Sequence, residues 1–120
     1  MEASKTTLDS ERCKEKKEKI EKALIRLQLA EKDKDGQKKA SAYKDLAWLY
    51  YDVKDYEQSI AYGEKLLDIS AQMGNEELKV KANANIVLAW AHKDIGDYKK
   101  SQNFCRELLR IGDGLRDEQL

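Results

Sequence analysis

Few side chains in this sequence could do covalent or acid–base chemistry. It has one histidine, His92, and two cysteines, Cys13 and Cys105. Twenty-three Asp plus Glu carboxylates balance 23 Lys plus Arg cations. General acid–base or nucleophilic catalysis needs a base within hydrogen-bond reach of the reacting group, oriented by a third residue. No motif around His92 supplies such partners. Cys13 and Cys105 lack the paired spacing of a metal site, and a reducing compartment keeps them as thiols. Gly112-Asp113-Gly114 holds too few glycines to cradle a phosphate and reads as a helix end. The carboxylate pairs Glu76-Glu77 and Asp117-Glu118 sit where helices are expected to begin, and there negative charge complements the helix dipole. The expectation is a non-enzymatic chain with no cofactor and no metal.

Charge and hydropathy narrow the partners. A balanced net charge recruits neither nucleic acid nor an anionic membrane. The run Lys14, Lys16, Lys17, Lys19 alternates with Glu15 and Glu18, the pattern of a solvated helix with internal charge pairs. No window approaches the roughly 18 apolar residues of a membrane span, and the first residues lack the apolar stretch of a signal peptide. A cytoplasmic or nuclear location is expected.

The elements that must position these groups are set by an internal repeat. Shifted by 42 residues, Ala40–Leu78 falls on Ala82–Leu120 with identity at fourteen of thirty-nine aligned positions. Leu46/Leu88, Ala47/Ala89, Trp48/Trp90, Asp55/Asp97, Tyr56/Tyr98 and Ser59/Ser101 are among them. A period of about 20 to 50 residues indicates stacked units, each too small to bury its apolar face alone. With no Pro, six Gly and 38% charged residues, the composition suits long helices with one wet face.

Five helices are expected. Residues 1–9 are short and polar and are expected to be disordered, with Asp9 and Ser10 offering capping oxygens to a leading helix over 10–36. Ile20, Ala23, Leu24, Leu27 and Ala30 form its apolar stripe. Unit one spans 37–75. Its first helix, about Gln37–Val53, carries Ala40, Tyr43, Leu46, Ala47 and Tyr50 on one face. Its second runs from Tyr56 to near Met73 and buries Ser59, Gly63 and Leu66. Unit two spans 76–116, with helices over Glu76–Ile95 and Tyr98 to about Gly112. Residues 117–120 overlie the start of a first helix, as expected of a piece cut from a longer array.

Two units with Tyr43, Leu46, Ala47, Tyr50, Lys54-Asp55-Tyr56, Ser59, Gly63, Leu66 and with Asn85, Leu88, Ala89, His92, Gly96-Asp97-Tyr98, Ser101, Cys105, Leu108 resemble tetratricopeptide repeats over residues 20–120. Asn85 and His92 replace aromatics, Lys54 replaces the turn glycine, and the closing Pro is missing from both units. The 42-residue period is similar to the long-repeat members, such as Pins-type spindle-orientation adaptors, rapsyn and Tonsoku-like proteins.

That resemblance implies an all-α, right-handed α-solenoid of helix hairpins acting as the N-terminal interaction module of a larger adaptor. His92 would be a packed, hydrogen-bonded imidazole, Cys105 would fill a small-residue packing slot, and the Tyr after each turn would wedge between the helices of its pair. First helices line the concave face in that family. This places Lys44, Trp48 and Tyr51 of unit one and Asn83, Ile86, Val87, Trp90 and Lys93 of unit two in a groove for a peptide or domain of a protein partner. Trp48, Tyr51 and Trp90 would grip the ligand, and Lys44, Lys93 and Asn83 would orient it. Two alternatives stand beside it. The two Trp could pack internally, or Ile86, Val87 and Trp90 could form a self-association patch that drives homo-oligomerisation.

Overall fold

The computed structural model describes the backbone of residues 2–119 and the side chains of residues 11–114. It contains α1 (Glu2–Asp33), α2 (Gly36–Asp52), α3 (Tyr56–Ser70), α4 (Glu77–Asp94) and α5 (Tyr98–Gln119), with one 3-10 turn at Gly74–Glu76. No strand occurs among the described residues. Each helix packs on the next in sequence, and α2 also reaches α4. The radius of gyration is 16.3 Å, whereas a compact chain of this length would give about 14 Å. The 56 Å long dimension fits the 32-residue α1, which spans about 48 Å at helical rise.

Three of the connections are one turn written three times. Lys34, Lys54 and Gly96 take left-handed φ of 54°, 63° and 89°, which closes the preceding helix. The following Asp N–H then reaches back to a carbonyl of that helix: Asp35 to Ala30 at 3.0 Å, Asp55 to Tyr50 at 2.9 Å, Asp97 to His92 at 2.8 Å. Each Asp carboxylate next accepts from the N–H three residues on, of Lys38, Gln58 and Lys100, at 3.1, 3.2 and 3.2 Å, capping the following helix. Lys54 therefore replaces the glycine without changing the turn, at the cost of a strained backbone.

The interior repeats in the same way. Ser59 Oγ donates to the Ala47 carbonyl at 2.8 Å, and Ser101 Oγ donates to Ala89 at 2.9 Å. Both serines are buried, and a side chain this small lets the two helices of a pair approach while its hydroxyl is satisfied. Gly63 serves the same closeness between units. A Cβ there would lie 2.8 Å from Leu88 Cδ2. Ile20, Ala23 and Leu27 of α1 meet Ala42 and Leu46 of α2 in one apolar cluster, as the leading stripe requires. Leu66 and Ile69 of α3 meet Ala40 of α2 and Ala84 of α4 in another. Tyr62 stacks on Tyr50 with centroids 5.7 Å apart and rings 2° from parallel.

Three boundaries differ from expectation. α1 begins at Glu2, so the stretch expected to be disordered over 1–9 is helical from its second residue, and Asp9 and Ser10 are interior. Nothing between Glu2 and Lys19 is Pro or Gly, and adding residues to an existing helix costs far less than nucleating one. α3 stops at Ser70 before Met73, and the left-handed Gly74, φ 56°, starts the 3-10 turn that leads into α4. α5 passes through Gly112 and Gly114 into the segment expected to open a new helix. Each interior glycine costs about 0.5–1 kcal/mol, which the rest of the helix outweighs.

Candidate functional site

The eight candidate contact residues do not share one groove. Lys44 of α2 and Asn83 of α4 line a cleft of about 380 Å³ between these helices, with Ala40, Met73 and Val80 as its apolar part. Trp48 lines a different groove, about 430 Å³, between α2 and α1. Ile86, Trp90 and Lys93 line a third, about 270 Å³, between α4 and α5. Tyr51 is engaged within the chain, and Val87 is 0% exposed. Val87 is thus buried within the chain, and the other expected residues, Tyr51 aside, line three clefts.

The division has a geometric cause. Each Trp flanks two surfaces of its unit, and what covers them differs between units. In unit one α4 lies over the α2/α3 surface, so Val87 and Leu88 press on Gly63 and Ala84 joins Leu66. Trp48 keeps its other flank towards α1 and meets Tyr51 edge-on at 5.7 Å. In unit two no described element lies over the equivalent α4/α5 surface. Trp90 is 47% exposed there, with Lys93 Nζ 4.9 Å from the centre of its ring. The two indoles do not pack on each other: Trp48 pairs with Tyr51 and Trp90 with Lys93.

The tyrosines after the turns part company for the same reason. Tyr56 is half-buried against Tyr51, ring centres 5.7 Å apart. Tyr98, its image, is 63% exposed and does not wedge between helices. The Tyr51 hydroxyl donates to Asp94 Oδ2 at 2.6 Å, and this bond, with lesser burial, pushes its pKa up to about 12. Burial first, and then the Asp94 charge, also raises Tyr56.

His92 is buried and stacks on Phe104 at 5.4 Å and 17°. The packed imidazole is as expected, but its Nδ1 has no hydrogen-bond partner. Burial lowers its pKa, the Lys100 charge lowers it further, and Asp97 and Glu64 oppose in part. The ring is enclosed against Phe104, and its lowered pKa favours the neutral form. Cys105 is exposed on the α4/α5 groove, outside the packing slot expected of it. Among the described residues no group of three His, Cys, Asp or Glu gathers to hold a metal, and no helix is long and apolar enough to cross a membrane.

Two sets of groove residues were not among the expected contacts. Lys19, Lys22 and Arg26 of α1 share the groove with Trp48, and Arg26 pairs with Asp45 at 2.9 Å. Their three- and four-residue spacing marks one helix face, a signal masked by the charge of the whole segment. Ser101, Cys105 and Leu108 of α5 have the same spacing and wall the third groove. No family model, no curated protein and no solved structure matches this chain.

Proposed function

We propose that the chain is a non-enzymatic protein-interaction module, built as a right-handed α-solenoid of tetratricopeptide type, that holds a peptide segment of a partner in the cleft between α2 and α4. One observation carries this reading: Lys44 from the first unit and Asn83 from the second line the same cleft. A binding surface assembled across units is what stacked repeats offer that a single hairpin cannot. The Lys44 ammonium would meet a partner carboxylate. The Asn83 amide can both donate to and accept from a peptide backbone. Ala40, Met73 and Val80 give apolar contact between these polar groups. Selection of a displayed peptide library against the chain supplies the ligand, and Lys44→Ala and Asn83→Ala test the site. Weakened binding with unchanged melting is expected of each. Selected peptides that bind both variants as tightly as the parent would place the site elsewhere.

A second reading, self-association, draws on Ile25 and Leu29, each 55% exposed and one turn apart on α1. Sedimentation across a concentration series decides it: a constant monomer mass removes this reading.

A further inference from the structure

The α2/α3 surface and the α4/α5 surface are images of one another under the 42-residue shift, yet one is covered and the other open. On the covered one, α4 supplies three contacts in order along its length. Ala84 packs with Leu66, Leu88 fills the space at Gly63, and Asp94 accepts from the Tyr51 hydroxyl. Transferred to the open surface, the receiving residues are Leu108, Cys105 and Lys93. All three line a single apolar groove of about 270 Å³.

We infer that the α4/α5 groove is a docking site for an amphipathic helix of another protein that carries a small residue against Leu108, a second small residue four positions on against Cys105, and a carboxylate six positions further on against Lys93. The carboxylate follows from charge. Lys93 makes no salt bridge among the described residues, its ammonium resting on the Trp90 ring. Tyr98, image of the Tyr56 that adjoins Asp94, is exposed and offers a second donor by the same repeat relationship. The second small residue follows from space. Gly63 leaves room for Leu88, and even a bare Cβ there would come within 2.8 Å of it; Cys105 brings a whole side chain to the equivalent point. For that reason the occupant is not α4 of a second copy, whose Leu88 would meet Cys105. The site does not depend on the α2/α4 cleft, and its failure leaves that cleft untouched.

The probe is a synthetic helix with the sequence of residues 77–95 and Leu88→Ala, stapled on its solvent side. The readout is alkylation of Cys105 by a maleimide, followed by mass spectrometry. Cys13, exposed on α1, is the control within the same molecule. The probe is expected to slow modification of Cys105 and leave Cys13 unchanged. A probe retaining Leu88 protects less. Asp94→Asn in the probe, or Lys93→Glu in the protein, weakens protection about threefold to fivefold, the size of an exposed ion pair. A probe with Asp94→Lys restores it against Lys93→Glu. Unslowed Cys105 alkylation at saturating probe overturns the inference, as does protection indifferent to both charge changes. Protection of Cys105 that grows with protein concentration alone would assign the face to a second copy and overturn it as well.

Discussion

Tyr51 donates a 2.6 Å hydrogen bond to the carboxylate of Asp94, 43 residues further along the chain. The two residues stand near the ends of α2 and α4, so the bond ties the first helices of consecutive units together.

Tyr51→Phe removes the bond and keeps the ring that meets Trp48. Because the folded pKa is raised to about 12, this contribution is complete below the unfolded value near 10 and is lost as pH rises through the folded one. At pH 7 the variant is expected to lose about 0.5–1.5 kcal/mol, the usual net worth of one hydrogen bond. Urea unfolding at pH 7 and above pH 10 checks both parts, and the gap between variant and parent should narrow at the higher pH.

Gly63→Ala places a methyl where Leu88 Cδ2 lies 2.8 Å away and Val87 Cγ1 3.3 Å away. Forced repacking of this kind costs about 1–3 kcal/mol. Combined with Leu88→Ala, which frees the space, the total loss should fall short of the two single losses added. A double-mutant cycle by chemical denaturation measures the difference, and strict additivity would mean that Gly63 and Leu88 do not compete for space.

Lys54→Gly is expected to stabilise the fold. The left-handed conformation costs a residue with a side chain about 1–2 kcal/mol, of which the flexibility of glycine in the unfolded chain takes back about half. Gly96→Ala, at φ 89°, should shift melting downwards. Opposite signs at these equivalent turns, read from melting temperatures, are the expected result.

His92 contributes a pH dependence of stability on the acid side. Its folded pKa is lowered, so the unfolded chain takes up the proton first. Stability is complete above about 6.5, the unfolded value, and declines as pH falls below it. His92→Tyr copies Tyr50, its image in unit one, and removes the titrating group. Melting between pH 7.5 and 5 should fall less steeply in the variant than in the parent.

Much of the fold was legible because it is local. Asp35, Asp55 and Asp97 cap from their own turns, and the Ile20–Ala30 stripe declares its buried face by spacing alone. The bonds from Ser59 and Ser101 could be anticipated as equivalent because both serines recur at the repeat distance with the same alanine carbonyls before them. The candidate site was legible only in part. Lys44 and Asn83 line one cleft, Trp48 a second, and Ile86, Trp90 and Lys93 a third, and that distribution was not visible in any window of sequence.

Asp45 and Val87 show where the boundary lies. They hold the same place in their units, one that the resemblance to tetratricopeptide repeats assigns to the concave face of a first helix. Asp45 meets Arg26 of α1 at 2.9 Å in a partly open groove, whereas Val87 is sealed against Gly63 of α3. Helix position, caps and repeat length depend on neighbours within a turn or two, and these a linear chain specifies directly. Which face is covered depends on an element that arrives from elsewhere, and that was settled only when α1, α3 and α4 came to rest on one another.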